Sequence, residues 1–133
     1  MWLYEGKEFT EIPPNIVGFV YRITNTLDGR EYIGKKLFTK AGYKQVRGKR
    51  KKLRKPSDWK DYYGSNKELV ADVVQFGGGN FVREILLMCE TRGLCSYHEA
   101  RLQFAFHVLE HPEKYYNGQI QCRIHRSHLK LKK

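Results

Sequence analysis

The sequence predicts an α+β fold, in which helices pack on a small, mainly antiparallel β-sheet. Two apolar runs, 17–23 and 32–34, flank a cluster of turn-forming residues and predict an N-terminal β-hairpin. A third apolar run at 80–89 predicts a strand that is buried on both faces. Two further segments carry apolar residues at helical spacing: 66–76 and 96–110. Because 133 residues suffice for one core, we expect a single domain over 1–133.

The hairpin is expected to bring two tyrosines together. Residues 1–16 form a lead-in that Pro13-Pro14 separates from the hairpin. The turn Asn25–Gly29 offers a glycine where a positive φ is needed. Since side chains alternate along a strand, such a hairpin can place the phenols of Tyr21 and Tyr32 in one patch.

Both helices are predicted to start at capping boxes of the form S-x-x-E. Ser65-x-x-Glu68 precedes the first helix, and the glycines at 77–79 end it. Arg92-Gly93 is interpreted as a connection, so that Ser96-x-x-Glu99 starts the second helix. This helix is expected to end before His111-Pro112, because the residue before proline disfavours the helical conformation.

The positive charge of the chain is concentrated in one segment. Residues 35–55 contain eleven Lys or Arg and no Asp or Glu, while the remaining 14 basic residues balance the 14 acidic ones. The whole formal charge of +11 therefore lies there, which indicates a polyanionic partner, most simply nucleic acid. The alternative is a solvated loop that keeps the protein soluble. The candidate nucleic-acid contacts are Lys35, Lys40, Lys44, Lys49, Arg50, Lys51, Lys52, Arg54 and Lys55.

The sequence predicts little regular structure in this basic insertion, about 35–56. Residues 39–56 are poorly patterned, and we expect one or two helical turns there or disorder without a ligand. Residues 115–124 are expected to be extended, and the basic tail 123–133 to be frayed.

The hairpin resembles the two strands that name the GIY-YIG nuclease family. Tyr32-Ile33-Gly34 matches the second motif, and Tyr21-Arg22-Ile23-Thr24-Asn25 resembles the continuation of the first. Phe19 and Val20 stand where the family has Gly and Ile. The order of elements also matches, over a core of about 17–117. The chain is similar to the small stand-alone members of the family, many of them phage-encoded, with the lead-in and tail outside the resemblance.

The resemblance implies a metal site and an asparagine position. Glu99 matches the family's metal-binding glutamate and would hold Mg²⁺ or Mn²⁺. The alternative is that Glu99 only caps its own helix, as the last residue of the capping box. Asn117, in Tyr115-Tyr116-Asn117, resembles the family's asparagine, and the alternative is an ordinary turn residue.

The family's catalytic cation has no direct match in this chain. Gly42 stands where the arginine is expected, and we take Lys36 and Arg47 as the candidates for its role. A histidine that contacts the nucleophile in some members would be replaced by Tyr63. The alternative for Tyr63, as for Tyr62, is aromatic packing beneath the start of the first helix.

Together these residues imply phosphodiester hydrolysis by an endonuclease. Tyr21 would act as the base on water, and Tyr32 would hydrogen-bond the phosphate or the water. Nearby cations are expected to lower the phenol pKa from about 10. Lys36 and Arg47 would stabilise the transition state, and Asn117 would orient the substrate or leaving group. Such a site cuts one strand at a time, which is compatible with a monomer or a homodimer.

Two other interpretations use the same residues. A non-catalytic nucleic-acid-binding module would need only the basic insertion and the tail. Zinc is a weaker alternative, because the spacings within its two candidate sets depart from standard zinc motifs. Those sets are Cys89, Cys95 and His98, and Cys122, His125 and His128.

The composition also bears on the compartment. Three cysteines, an odd number, and the lack of a signal-like apolar start favour a reducing cytoplasm, that of the host if the gene is a phage's. No run of eighteen apolar residues is present, so no membrane partner is expected.

Overall fold

The α+β class is confirmed by a computed structural model, which describes residues 1–129. A mixed, mainly antiparallel five-stranded sheet carries the helices, and a two-stranded ribbon stands apart from it. The elements are β1 (Trp2–Tyr4), β2 (Lys7–Phe9), β3 (Gly18–Asn25), β4 (Glu31–Leu37), β5 (Thr39–Val46), β6 (Lys49–Pro56), α1 (Lys67–Phe76), β7 (Phe81–Cys89) and α2 (Arg92–Ala105). The sheet order is β2-β1-β7-β3-β4. Among the helices of residues 1–129, none is long and apolar enough to cross a bilayer.

The β3–β4 hairpin forms as its sequence predicts. Its antiparallel register pairs Tyr21 with Gly34 and Ile23 with Tyr32. The turn closes with a hydrogen bond from the Gly29 N–H to the Asn25 carbonyl, and Gly29 has a φ of 80°. Such a φ is costly for residues with a Cβ, which explains the glycine.

The sheet separates two hydrophobic clusters, one on each face. Alternation along β3 sends Phe19, Tyr21 and Ile23 to one face, and Val20 to the other. The first cluster packs against Leu69 of α1 and against Trp59, in a short 3₁₀ turn. The second cluster includes Val20 and Ile33 of the sheet and Cys95 of α2. The hairpin is therefore held between the two helices.

The lead-in does not end before the sheet, because β1 and β2 belong to it. Strand β1 lies parallel to β7, with Trp2 opposite Arg83, and antiparallel to β2. The Trp2 indole N–H donates to the Trp59 carbonyl, 2.6 Å away. Three-residue strands give almost no local periodicity, so only their long-range pairing reveals them.

Each helix begins at a different cap from the one predicted. Asn66, and not Ser65, is the N-cap of α1, and its side chain accepts from the Leu69 N–H. For α2 the N-cap is Thr91, which accepts from the Leu94 N–H. The segment interpreted as a connection is thus the first turn of α2. Glu99 consequently lies well inside the helix and caps nothing.

The basic segment 39–56 is a β-hairpin and not a helical or irregular stretch. Strands β5 and β6 pair from Thr39↔Pro56 to Val46↔Lys49. Arg47 and Gly48 form the turn, both with positive φ, at 51° and 74°. We call residues 39–56 the basic arm. Period-two patterning is absent from its sequence because neither face of the arm packs on a core.

Strand β7 and the end of helix α2 also differ from their predictions. Strand β7 is not buried on both faces, since Glu84 forms a partly exposed ion pair with Arg22, at 2.6 Å. Residues 117–124 form no strand, although Tyr115 makes an isolated parallel bridge to Glu31. Helix α2 ends at Ala105 rather than just before His111. Residues 130–133 of the expected basic tail lie outside the described residues.

Candidate active site

Tyr21 and Tyr32 lie side by side on one face of the hairpin, as predicted. Their ring centroids are 6.2 Å apart. Gly34, opposite Tyr21, makes this possible, because a Cβ there would lie 2.5 Å from the Tyr21 phenol oxygen and 2.9 Å from Tyr32 Cε2. The absence of a side chain at Gly34 therefore leaves room for the Tyr21 phenol.

The segment 62–65 covers the two phenols. The Tyr62 ring meets the Tyr21 ring edge-on, with centroids 6.0 Å apart. The Tyr32 hydroxyl is 3.2 Å from Ser65 Oγ. Gly64 has a φ of 90°, and a Cβ there would be 3.5 Å from the Tyr21 phenol oxygen. These residues form one wall of the site.

Tyr62, not Tyr63, is the aromatic residue at this wall. Tyr63 points away, since a Cβ on Gly78 would lie 2.5 Å from its hydroxyl oxygen. The Arg83 guanidinium lies over the Tyr63 ring, 4.2 Å from its centroid. The packing alternative therefore holds for Tyr63, and Tyr62 is the residue that the sequence did not single out. Two adjacent tyrosines in an irregular segment give no periodicity that would tell them apart.

Lys36 is the candidate cation that the structure brings to the site. It follows Tyr32 and Gly34 on the same face of β4. Its ammonium nitrogen is 3.9 Å from the Tyr62 ring centroid and 2.6 Å from Asp58 Oδ1. This hydrogen bond lowers the pKa of the exposed Asp58 carboxyl. Asp58 is a second neighbour that the sequence did not single out.

Arg47 is not brought to the site. It occupies the turn of the basic arm, at the far end of two eight-residue strands. Eight residues of β-strand extend about 26 Å, which separates this guanidinium from the base of the arm. Because strands β5 and β6 are paired along their whole length, Arg47 stays at the turn, away from the site.

Glu99 projects from α2 towards the same hairpin. On this helix Cys95, Ala100 and Gln103 are buried against the sheet, and the Gln103 amide donates to the Ile33 carbonyl, at 2.9 Å. Burial raises the pKa of the Glu99 carboxyl, and the nearby Lys35 ammonium and backbone N–H offset this in part. Its charge also raises the pKa of both Tyr21 and Tyr32. The carboxyl and the two phenols therefore share one site.

Lys35 belongs to this site rather than to the basic arm. It is half-buried, and its ammonium donates to Ser96 Oγ of α2, at 2.5 Å. Within residues 1–129 Glu99 takes part in no ion pair. The carboxylate is thus left available to a cation from solution.

The two phenols are more weakly acidic than expected. Burial is the main cause that raises the pKa of Tyr21 well above its usual value, and it also raises that of Tyr32. Burial therefore outweighs the lowering that was expected from nearby lysines. In the protein alone, both phenols are neutral hydrogen-bond donors at pH 7.

Asn117 fixes the strand that carries Tyr32. It is buried, its Oδ1 accepts from the Ile33 N–H at 3.0 Å, and its Nδ2 donates to the Ile33 carbonyl at 2.8 Å. Next to it, the Tyr116 N–H donates to the Glu31 carbonyl. The side chain therefore continues a backbone ladder along the free edge of β4. The contacts give Asn117 a supporting role, and its orientation of the substrate or leaving group stays a prediction.

Replacing Asn117 by Ala is expected to lower the free energy of unfolding by about 1–3 kcal/mol, because the buried Ile33 N–H loses its acceptor. Gln103→Ala should cost less, since the Ile33 carbonyl keeps Asn117 as a donor. Urea unfolding of both variants measures the difference. Unchanged stability together with lost cleavage in Asn117→Ala would return this residue to a role on the substrate.

The zinc alternatives are not supported. Cys89 and Cys95 lie in the core, where a hydrogen bond between their thiols lowers the pKa of Cys89 and raises that of Cys95. His98 Nδ1 is instead within 3.3 Å of Arg101 Nε. Over the described 1–129, no group of three His, Cys, Asp or Glu residues is placed to hold a metal.

Comparison with known protein families agrees with this geometry. The family model described as "Putative endonuclease segE, GIY-YIG domain" matches residues 2–120. The match begins at β1, so the lead-in belongs to the family's domain rather than outside it. No curated protein and no solved structure matches the chain. The matched residues span most of the 133-residue sequence, and the chain belongs to the GIY-YIG endonuclease family.

Proposed function

We propose that this chain is a metal-dependent endonuclease that hydrolyses phosphodiester bonds in duplex DNA. The observation that carries the proposal is the convergence of Tyr21, Tyr32 and Glu99, from two strands and a helix, beside Lys36. The basic arm leaves the sheet directly after this site. A phosphate backbone that follows the arm would therefore pass next to these residues.

Glu99 would hold the divalent cation. A single half-buried carboxylate without an ion-pair partner suits Mg²⁺ or Mn²⁺, which keep most of their ligands as water and phosphate oxygens. When bound, the cation supplies positive charge against the phosphoryl oxygens and the leaving group. The Lys35 ammonium donates to Ser96 Oγ and forms no ion pair with this carboxylate in residues 1–129, although its charge favours the ionised form of Glu99.

Tyr21, as the phenolate, would accept a proton from the attacking water. Tyr32 would hydrogen-bond the water or the phosphate. Burial keeps the Tyr21 phenol protonated at rest, and positive charge beside it favours the phenolate that a general base requires. Lys36, whose ammonium lies over the Tyr62 ring, would supply such charge once substrate draws it from Asp58. The same ammonium would stabilise the transition state, with Asp58 holding it when no substrate is bound.

The proposal predicts that the protein converts supercoiled plasmid to nicked circles in Mg²⁺ or Mn²⁺, and that EDTA stops the reaction. Because one chain carries one such site, nicked circles should appear before linear product in a monomer. A homodimer would release linear product directly, so the order of products also reports the oligomeric state. A gel-shift of the plasmid without cleavage in either metal would instead support a non-catalytic nucleic-acid-binding module.

The cellular setting is part of the same proposal. The three cysteines are free, two of them buried and Cys122 exposed, which suits a reducing compartment such as the cytoplasm. If the gene is carried by a phage, that compartment is the host's.

A further inference from the structure

The basic arm is a ribbon without a protein partner. Within the described residues, β5 and β6 pair with each other and with no other strand. Between Lys40 and Lys55 every residue is exposed except buried Gly42 and half-buried Leu53. Two-stranded ribbons are marginal in water, and nine basic residues without an acid repel one another along this one. A polyanion would relieve that repulsion.

The strand register places the basic residues of β5 and β6 on two faces, and both arginines of these strands lie on one of them. Residues directly opposite each other in an antiparallel pair share a face. Tyr43 pairs with Lys52 and Gln45 with Arg50, which defines an arginine face. The lysine face is formed by the alternate pairs, which include Lys40↔Lys55, Lys44↔Lys51 and Val46↔Lys49. The arginine face comprises Tyr43, Gln45, Arg50, Lys52 and Arg54, and the lysine face comprises Lys40, Lys44, Lys49, Lys51 and Lys55.

The arginine face presents residues suited to reading bases. The Arg50 guanidinium carbon lies over the Tyr43 ring, 3.9 Å from its centroid, so the aromatic ring supports this side chain on the exposed face of the arm. Gln45 lies directly across from Arg50. Arg pairs in bidentate fashion with guanine and Gln with adenine on their major-groove edges. Arg54, by contrast, is engaged with the Thr39 carbonyl at 2.8 Å.

The lysine face is suited to phosphates. Lysine offers a flexible point charge rather than a planar fork, so it neutralises phosphates without distinguishing bases. The shape of the arm selects between the two grooves. The major groove, about 12 Å wide, admits a two-stranded ribbon, whereas the minor groove is about 6 Å wide.

We propose that the basic arm lies in the major groove of duplex DNA, with Gln45 and Arg50 on base edges and the lysine face supplying phosphate contacts. This rests on the proposed function in taking DNA as the substrate, and it adds a source of sequence preference. The arm extends about 26 Å from the site, which is roughly eight base pairs along the duplex. Preferred bases therefore lie within about that distance of the cut.

The test is selection of bound duplexes from a randomised pool by the Glu99→Gln variant without metal, so binding is measured apart from cleavage. Arg50→Lys and Gln45→Ala should each lower the preference at one position by roughly 5- to 150-fold. The matched lysine-face variants Lys44→Gln and Lys51→Gln should keep the preference. They should instead lower the salt slope of binding by about 0.9 for each lost phosphate contact.

A second probe reports the groove. Duplexes with 7-deazaguanine lack the N7 acceptor of guanine in the major groove. The protein with Arg50 should bind them more weakly than unmodified duplexes, whereas the affinity of Arg50→Lys should change little. A selected pool without sequence preference, or preference that survives both Arg50→Lys and Gln45→Ala, would overturn the proposal. If the protein selects DNA sequences but does not cleave plasmid, the nuclease proposal is refuted and the proposal for the arm stands.

Discussion

Replacing Glu99 by Gln is expected to lower the cleavage rate by about 10³-fold or more, which corresponds to the several kcal/mol that a metal supplies at a phosphoryl centre. Glu99 is the carboxylate that α2 directs towards Tyr21 and Tyr32, and the isosteric amide would hold the cation poorly. Single-turnover cleavage of a short duplex measures the chemical step. The exposed Glu90, just before α2, supplies the matched control Glu90→Gln, which should cut at the wild-type rate.

The same variant should be at least as stable as the wild type. Burial raises the pKa of Glu99 in the folded protein, so folding favours the protonated form of this carboxyl. Its stabilising contribution is complete below the unfolded pKa of about 4.3 and is lost as pH rises through the higher folded value. At pH 7 the charged carboxylate is therefore a cost that the amide removes.

Urea unfolding at pH 7 should show this gain, and it should vanish near pH 4. A large loss of stability at pH 7 would mean that Glu99 holds the fold together. If Glu99→Gln cleaved DNA at the wild-type rate, Glu99 would not be a metal ligand. The capping alternative predicts a loss, but α2 begins at Thr91, more than a turn before Glu99.

Local patterns predicted the parts of the fold that carry their own signal. Strands β3, β4 and β7 and helix α1 each have a run of apolar residues with a turn or cap at the end. The start of α2 was wrong because two capping sequences compete there. The earlier one, at Thr91, adds a turn that places Cys95 fully buried against the sheet, and this tertiary gain cannot be seen locally.

The basic arm shows a different limit of sequence patterns. Strand prediction depends on one buried face, and both faces of this ribbon are in water, so charge masks the alternation. The charge still predicts a partner, since the eleven cations of residues 35–55, nine of them in the arm, indicate a polyanion in any conformation. The division into arginine and lysine faces emerges only from the register of β5 and β6.

For the site, the motif spacing predicted residues that regular elements carry, namely the hairpin and helix α2. Tyr21, Tyr32 and Glu99 come together because hairpin register and α2 packing follow from the core. Side chains whose role depends on a neighbour were harder to assign. Asn117 turns inward because Ile33, at a sheet edge, lacks a strand to pair with. Tyr62 was overlooked for the same reason, since only the path of the loop decides which tyrosine faces Tyr21.

Tyr21→Phe is expected to lower the chemical rate by roughly 10²–10⁴-fold, the contribution of a general base, with little change in stability. The substitution keeps the ring, which is fully buried between Trp2, Phe19 and Tyr62, and removes one oxygen. Tyr62→Phe is the matched control, because it deletes a phenol oxygen at the wall of the site. It should cost much less if Tyr21 is the base.

The pH dependence of the rate distinguishes a base from a hydrogen-bond donor. The pKa of Tyr21 is raised, so between pH 6 and 9 its phenolate fraction grows about tenfold for each pH unit, and the wild-type rate should rise with it. The residual rate of Tyr21→Phe should lose this rise, whereas Tyr32→Phe should keep the rise at a lower rate. A flat wild-type profile, with Tyr21→Phe still slow, would make Tyr21 a donor to the phosphate. Equal rates and equal pH profiles in the wild type and Tyr21→Phe would exclude this phenol from the chemistry, because the substitution removes only its oxygen and keeps the buried ring.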